Sequence, residues 1–183
     1  QKQHLELCRD IAQKFNNDYA IDNFLKVPDP LIQKQFSRIM SLKDGKKKMS
    51  KSEPSDLSRI NLTDDENSII NKIKKAKTDP LPLPSNVEEL KTRHEAKNLL
   101  GIYSSLTNLT LDQSIKEFSG KNFSEFKEKL SEVLVERIKP ISSEIKKLRN
   151  ELDYLDKILL DGQKKADEFA SNKLKKMHEI VGF

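Results

Sequence analysis

A short segment between residues 48 and 52 carries the residue types that can act on phosphate. Two ammonium groups lie three residues apart and two hydroxyl groups flank the second of them, in the order Lys48-Met49-Ser50-Lys51-Ser52. Ammonium groups neutralise charge on phosphate oxygens, and serine hydroxyls and backbone N–H groups supply further hydrogen-bond donors. A loop of this kind can also close over a nucleotide and exclude water, which strengthens each charge contact. The segment predicts a polyphosphate-binding loop, although most Lys/Ser runs are only solvated loops.

We call residues 48–52 the lysine–serine loop. The residues around this loop predict the elements that hold it. Residues 38–42 predict a short strand before the loop, and residues 44–45, Asp-Gly, predict a turn. Residues 59–62 predict a second short strand after it. Thr63, with Glu66 three residues on, fits a capping box that begins a helix. The loop is therefore expected between two strands and beside a helix, where a mobile phosphate lid can be positioned.

The chain after a proline-rich break at residues 79–84 is predicted to be all helical, because apolar residues recur at helical spacing. Thr110 and Gln113 fit the cap of a short helix. Two longer helices are expected to end at Pro140 and Gly162, and a last helix follows. Several helices with short connections favour an antiparallel bundle.

Composition limits the possible classes of protein. The 183 residues have a net charge of +5, with 34% charged and 35% hydrophobic residues, which is typical of a largely helical soluble protein. No apolar run approaches the roughly 18 residues of a membrane span, and a single cysteine, Cys8, allows no internal disulfide. Residues 43–77 hold ten Lys/Arg against six Asp/Glu, whereas residues 116–183 hold fifteen against thirteen. This excess of positive charge favours a polyanion near the loop.

The lysine–serine loop resembles the KMSKS signature of class I aminoacyl-tRNA synthetases, a string too specific to arise often by chance. Other segments resemble the tryptophanyl-tRNA synthetase family within that class. They occur in the family's order along the chain, at residues 1–7, 38–42, 78–79, 98–104 and 181–183. Because these anchors stand in register, the resemblance covers essentially the whole chain.

The resemblance implies a mainly α-helical protein with a small α/β part. Residues 1–79 would be the C-terminal part of a Rossmann-like class I catalytic domain, and residues 80–183 an α-helical anticodon-binding bundle. The implied reaction joins tryptophan to tRNA(Trp) through tryptophanyl-adenylate, with ATP as substrate and Mg²⁺ bound to the ATP. Neither a protein-ligated metal nor a membrane partner is implied, and members of the family work as homodimers.

The resemblance also implies roles for single residues. Lys48 and Lys51 would be catalytic, since they would hold the β- and γ-phosphates and stabilise the departing pyrophosphate. Met49, Ser50 and Ser52 would complete the ATP-binding loop. Two residues outside the loop are also implied in ATP binding, one beside the adenine and one near the ribose: Ile39 and Gln1.

Two family features are not found in these 183 residues: the HIGH signature and the residues that read the indole ring. The chain is therefore expected to be a fragment that cannot make the adenylate alone. Asn108, where bacterial members tend to have glycine, and a composition rich in Lys, Asn and Ile favour an organellar enzyme. The expected location is the mitochondrial matrix, with the cytoplasm as the alternative.

Three other interpretations remain open at the level of the sequence. A tyrosyl-tRNA synthetase fragment would carry the same loop signature. A non-catalytic helical module would bind tRNA with a steep salt dependence but would not use ATP. A basic structural bundle would tolerate Lys51→Ala without any functional effect.

Overall fold

The computed structural model describes residues 2–31 and 38–183, and most of these residues are helical. Helices α1 to α6 span, in order, Lys2–Asp18, Glu66–Lys74, His94–Thr107, Leu111–Phe118, Phe123–Leu148 and Leu152–Val181. Strands β1 (Met40–Ser41) and β2 (Asp44–Lys48) form an antiparallel hairpin, and short 3-10 turns occur at Asp56–Ser58 and Glu88–Lys91. The predicted fold class, mainly α-helical with a small α/β part, is confirmed.

The chain divides into two compact units. One consists of Gln1–Lys34 with Leu152–Phe183, and the other of Gln35–Glu151. The domain boundary predicted between residues 79 and 80 falls inside the second unit. The predicted boundary therefore does not separate the two compact units, and it stays a prediction about the domains of the family.

The proline-rich segment at residues 79–84 is packed into the second unit. Leu83 and Pro84 are buried. The Leu83 N–H donates to the Lys121 carbonyl at 2.9 Å, and the Leu83 carbonyl accepts from the Gly120 N–H at 3.1 Å. Backbone groups that are paired in this way hold the segment in place, so it does not act as a free linker.

The core of the second unit lies where α2, α3, α4 and α5 meet. Three aromatic rings fill its centre: Phe118 lies 5.0 Å from Tyr103 and 4.8 Å from Phe126, in edge-to-face geometry. Around them lie buried aliphatic side chains from all four helices: Ile69, Ile73, Leu99, Leu100, Ile115 and Leu130. Burying one such side chain stabilises the fold by about 1.5–3 kcal/mol, so this core fixes the helices that carry the hairpin.

The strand predicted at residues 59–62 is not formed, and that prediction is wrong. The partner of β1 is β2, which precedes the lysine–serine loop instead of following it. The N–H groups after the loop are used locally. Arg59 N–H donates to the Asp56 carbonyl at 3.4 Å, and Asn61 N–H donates to the Asp64 carboxylate at 2.8 Å. These donors are therefore not available to a strand ladder.

Two predicted helix starts have different outcomes. The capping box of Thr110 and Gln113 is confirmed: the Gln113 N–H donates to the Thr110 hydroxyl at 3.2 Å, and the Thr110 N–H donates to the Gln113 side chain at 2.8 Å. The box predicted at Thr63 is wrong. The N-cap of α2 is Asp65, whose carboxylate accepts the Ser68 N–H at 2.8 Å.

The helix ends predicted at Pro140 and Gly162 are also wrong, because α5 continues through Pro140 and α6 through Gly162. Pro140 cannot donate to the carbonyl of Glu136. Both residues face solvent, so water can satisfy that carbonyl, while Ile138 and Ser142 are buried and hold the helix on the core. An exposed glycine inside a helix costs only about 1 kcal/mol, which does not end α6.

The first unit contains α1, the segment that follows it and α6. The side chain of Asn16, near the end of α1, exchanges two 2.8 Å hydrogen bonds with the backbone of Leu25. The ammonium of Lys173 on α6 lies 3.8 Å from the centre of the Phe24 ring. None of the helices in the described part of the chain has the length and hydropathy that a membrane crossing requires.

Candidate functional site

The hairpin positions the start of the lysine–serine loop. Lys48, the last residue of β2, pairs with Met40, and the Met49 N–H donates to the Ile39 carbonyl at 3.0 Å. The Met49 side chain is half-buried and packs against the core. These contacts fix the backbone as far as Met49, so the part of the loop that no strand holds begins at Ser50.

The tip of the loop is a tight turn made by its two serines. The Ser50 and Ser52 hydroxyls lie 2.9 Å apart, and the Ser50 Oγ also accepts the Ser52 N–H at 3.3 Å. Lys48 and Lys51 are exposed. Among the residues that the structure describes, neither lysine has an ion pair or a side-chain hydrogen bond. The ammonium groups of Lys48, at the end of β2, and of Lys51, on the turn, are therefore available to an anionic ligand.

Arg59 holds the chain directly after the loop. Its Nη1 donates to the Glu53 carbonyl at 2.8 Å and to the Ser55 carbonyl at 3.4 Å, and its Nη2 lies 3.1 Å from the Asp56 carboxylate. The Arg59 side chain is only 17% exposed. This contact was not predicted from the sequence, where Arg59 was assigned to a strand. These three contacts need the chain to fold back on Arg59, and the pattern of residue types around Arg59 does not predict such a turn.

The hairpin is also fastened to α3. Strand β2 approaches this helix so closely that a Cβ added to Gly45 would lie 2.7 Å from the carbonyl carbon of His94. Lys77, whose N–H donates to the Leu42 carbonyl at 2.7 Å, forms a 3.0 Å ion pair with Glu95 on α3. The hydrogen bond to Glu95 and its negative charge raise the pKa of Lys77 above its usual value.

A cavity of about 350 Å³ lies between the start of the hairpin and α3. Ile39 and Met40 line one side, and His94, Lys97 and Asn98 line the other. Ile39 is 43% exposed. Because its carbonyl also binds Met49, the structure brings Ile39 and the base of the lysine–serine loop together. The other implied ATP contact, Gln1, lies outside the described residues.

The donor set of the loop suits an anion. Ammonium and hydroxyl groups bind phosphate oxygens, whereas Mg²⁺ and Ca²⁺ prefer carboxylate and carbonyl oxygens. Within residues 2–31 and 38–183, no three His, Cys, Asp or Glu side chains come together as candidate metal ligands. The ammonium and hydroxyl groups of the loop are able to donate to the oxygens of an anion.

Comparisons with known proteins identify the family of this chain. A family model described as "tRNA synthetases class I (W and Y)" matches residues 1–139. The tryptophan–tRNA ligase of Caulobacter vibrioides is 50% identical over the whole chain, which corresponds to 53% of that protein. The ligase of Rickettsia conorii is 49% identical over the whole chain, or 54% of that protein. The crystal structure of tryptophanyl-tRNA synthetase from Mycoplasma pneumoniae superposes with a TM-score of 0.82 at 29% identity, covering 100% of this chain and 54% of that one.

These relatives confirm the resemblance to tryptophanyl enzymes and correct the predicted location. The chain spans about half the length of the curated relatives it matches. The relatives are bacterial, which points to the cytoplasm, so the expectation of a mitochondrial matrix enzyme is wrong. The lysine- and asparagine-rich composition and Asn108 were misleading because neither feature is specific to organelles.

The family match extends across the hairpin, the lysine–serine loop and helices α2 to α4, and it ends inside α5. It thus includes every residue of the candidate site. The chain belongs to the class I tRNA synthetases for tryptophan and tyrosine.

Proposed function

We propose that this chain is part of a tryptophan–tRNA ligase and that its lysine–serine loop binds the phosphates of ATP during activation of tryptophan. The observation that carries the proposal is the pair of exposed ammonium groups of Lys48 and Lys51 in a loop that is fixed at both ends. The names of the curated relatives, which are 45–50% identical over the whole chain, support tryptophan as the amino acid.

The reaction has two steps. In the first step, a carboxylate oxygen of tryptophan attacks the α-phosphorus of ATP, and the bond to the oxygen that bridges to the β-phosphate breaks. Negative charge builds on the departing pyrophosphate, where fixed cations stabilise the transition state. Lys48 and Lys51 supply these cations together with the Mg²⁺ that accompanies ATP. In the second step, a ribose hydroxyl at the end of tRNA(Trp) attacks the acyl carbon, and AMP leaves.

The other residues of the site position these charges. Met49 anchors the loop to the core, and the hydroxyl pair of Ser50 and Ser52 shapes the turn and offers donors to phosphate oxygens. Ile39 lies beside the adenine and contacts it through its backbone. Gln1 contributes near the ribose.

The remaining parts of the proposal concern the whole protein. Residues 1–79 belong to the catalytic domain, and residues 80–183 to the domain that contacts the tRNA anticodon. The substrates are MgATP, L-tryptophan and tRNA(Trp), and the complete enzyme is a homodimer. The nearly balanced charge of residues 116–183 favours specific contacts with the tRNA over a broad phosphate-binding face.

The test is amino-acid-dependent exchange of pyrophosphate into ATP by the complete gene product. Tryptophan and tyrosine are compared in parallel, because the family includes enzymes for both amino acids. Lys51→Ala removes one proposed phosphate contact. Lys47→Ala is the matched control, because it removes one exposed lysine that lies next to the lysine–serine loop but is not part of it. Successive side chains of a strand point to opposite faces, so the side chain of Lys47 lies on the other face of β2 from that of Lys48.

We expect exchange that depends on tryptophan, a loss on the order of 10²–10³-fold in Lys51→Ala, and little change in Lys47→Ala. Exchange driven by tyrosine would overturn the choice of amino acid. Equal losses in the two variants would show that general positive charge, and not Lys51, is what matters. Exchange with neither amino acid would reject the proposed function.

A further inference from the structure

Lys72 is a buried lysine on the apolar face of α2. It lies between Ile69 and Ile73, which are fully buried, and Lys72 itself is only 3% exposed. A charge is rarely placed in such surroundings unless partners compensate for the lost hydration. Its partners therefore indicate what this lysine does.

Both partners lie on the segment that follows the lysine–serine loop. The Lys72 ammonium is 2.6 Å from the Asp56 carboxylate and 2.7 Å from the Asp64 carboxylate. Asp64 is itself largely buried, with 10% of its side chain exposed, whereas 57% of the Asp56 side chain is exposed. One ammonium group thus bridges two points of the same segment.

Asp56 extends this contact back to the loop. Its Oδ1 accepts from Asn61 Nδ2 at 3.0 Å and lies 3.1 Å from Arg59 Nη2. Arg59 in turn donates to the Glu53 carbonyl, in the residue directly after Ser52. The hydrogen bonds from Lys72 and Asn61 hold the pKa of Asp56 below its usual value, so its carboxylate stays charged. A continuous chain of polar contacts therefore runs from the core to the end of the loop.

We propose that Lys72 is a positioning residue, which fixes the downstream end of the lysine–serine loop through Asp56 and Arg59 and so orients Lys51 toward the phosphates. This inference rests on the proposed function and adds a residue to it. The upstream end is fixed independently by the hairpin and Met49. With both ends fixed, the ammonium groups keep their positions when charge develops on the pyrophosphate, and this preorganisation is what the transition state requires.

The alternative is that Lys72 only stabilises the fold. The contacts of α2 allow the two roles to be separated. The helix is also held by Ile69 and Ile73 in the core, by its Asp65 cap and by Lys127, whose ammonium donates to the Lys74 carbonyl at 3.1 Å. Loss of the contact to Asp56 removes the link to the loop and leaves all of these in place.

The experiment compares Lys72→Met and Asp56→Asn in the complete gene product. Asp56→Asn removes the charge of an exposed carboxylate and so weakens its contacts with Lys72 and Arg59. It leaves Lys72 paired with Asp64, so it tests the idea even if Lys72→Met fails to fold. Lys139→Met is the matched control, because Lys139 forms a 3.0 Å ion pair with Glu66 at the start of the same helix but 63% of its side chain is exposed.

Two readouts are measured beside the thermal midpoint. The first is the kcat of pyrophosphate exchange, with separate KM values for ATP and tryptophan. The second is the rate of tryptic cleavage after Lys51, followed by mass spectrometry, which reports the mobility of the loop without any catalysis. We expect both Lys72→Met and Asp56→Asn to lower kcat by about 10–100-fold, to leave the KM for tryptophan unchanged and to accelerate cleavage. Lys139→Met should change none of these, and Lys72→Arg should restore part of the rate because a guanidinium can bridge two carboxylates.

Unchanged kcat and cleavage in Asp56→Asn would overturn the proposal, even if Lys72→Met lowered the thermal midpoint. The cleavage readout also separates the two proposals. If no amino acid drives exchange in the wild type, the proposed function fails. Faster cleavage in the variants would still show that Lys72 and Asp56 hold the loop.

Discussion

The side chain of Asn98 pairs with the backbone of Met40 as a neighbouring strand would. The Met40 N–H donates to Asn98 Oδ1, and Asn98 Nδ2 donates to the Met40 carbonyl, both at 2.8 Å. Strand β1 has only two residues and pairs with β2 on one edge. The buried side chain of Asn98 therefore provides hydrogen-bond partners for the Met40 N–H and carbonyl on the other edge, at the base of the lysine–serine loop.

Asn98→Ala is expected to destabilise the protein by about 1–3 kcal/mol, since it leaves the two half-buried backbone groups of Met40 without these partners. Denaturant unfolding measures the change. Ser119→Ala is the control, because it removes an exposed 2.9 Å hydrogen bond to Ser85 and should cost less than about 0.5 kcal/mol. Equal losses in the two variants would contradict the importance of the Asn98 pairing.

Gly45→Ala is expected to destabilise the hairpin by about 1–3 kcal/mol. The added methyl would lie 2.7–2.8 Å from backbone atoms of His94 and Glu95, which cannot move without shifting α3. Gly162→Ala is the opposite case. A methyl added there would have no atom within 4 Å, so the substitution should stabilise helix α6 by about 0.5–1 kcal/mol. Thermal unfolding measures both variants. If Gly45→Ala left the thermal midpoint unchanged, β2 and α3 could move apart to accept the methyl group.

Asp65→Ala should weaken the start of α2, whereas Thr63→Ala should not, because Asp65 is the observed cap. Hydrogen bonds from Ser68 hold the pKa of Asp65 below its ordinary value of 3.8. A carboxyl with a lowered native pKa adds stability above the ordinary value, and this stability is lost as the pH falls through the native value. The difference between wild type and Asp65→Ala should therefore shrink at acidic pH. A larger effect of Thr63→Ala would support the capping box predicted from the sequence.

Tyr103 should make stability fall in alkaline solution. Burial, together with the hydrogen bond to Glu117 and its charge, raises the pKa of Tyr103 to about 12. Above pH 10 the unfolded chain has lost a phenol proton that the native protein still holds, so the free energy of unfolding decreases between pH 10 and 12. Tyr103→Phe should flatten this decrease. Chemical denaturation at several pH values tests it, and an unchanged slope in Tyr103→Phe would assign the decrease to other groups.

The sequence by itself determined the features that depend on neighbours along the chain. The order of residues 48–52 identified the family, and Thr110 with Gln113 identified a helix cap, because both depend on residue types a few positions apart. Helical spacing of apolar residues predicted the mainly helical class for the same reason.

Only the tertiary structure decided which distant groups complete the site. Asn98 lies 58 residues from Met40, and Lys72 lies eight residues from Asp64, on the face of α2 that the core covers. The position of Lys72 between Ile69 and Ile73 indicates a buried charge, but the sequence does not identify the carboxylates that pair with it. The same limit explains the errors at Pro140 and Thr63. Local preference is worth about 1–3 kcal/mol, and packing on the core or a better-placed carboxylate overrides it.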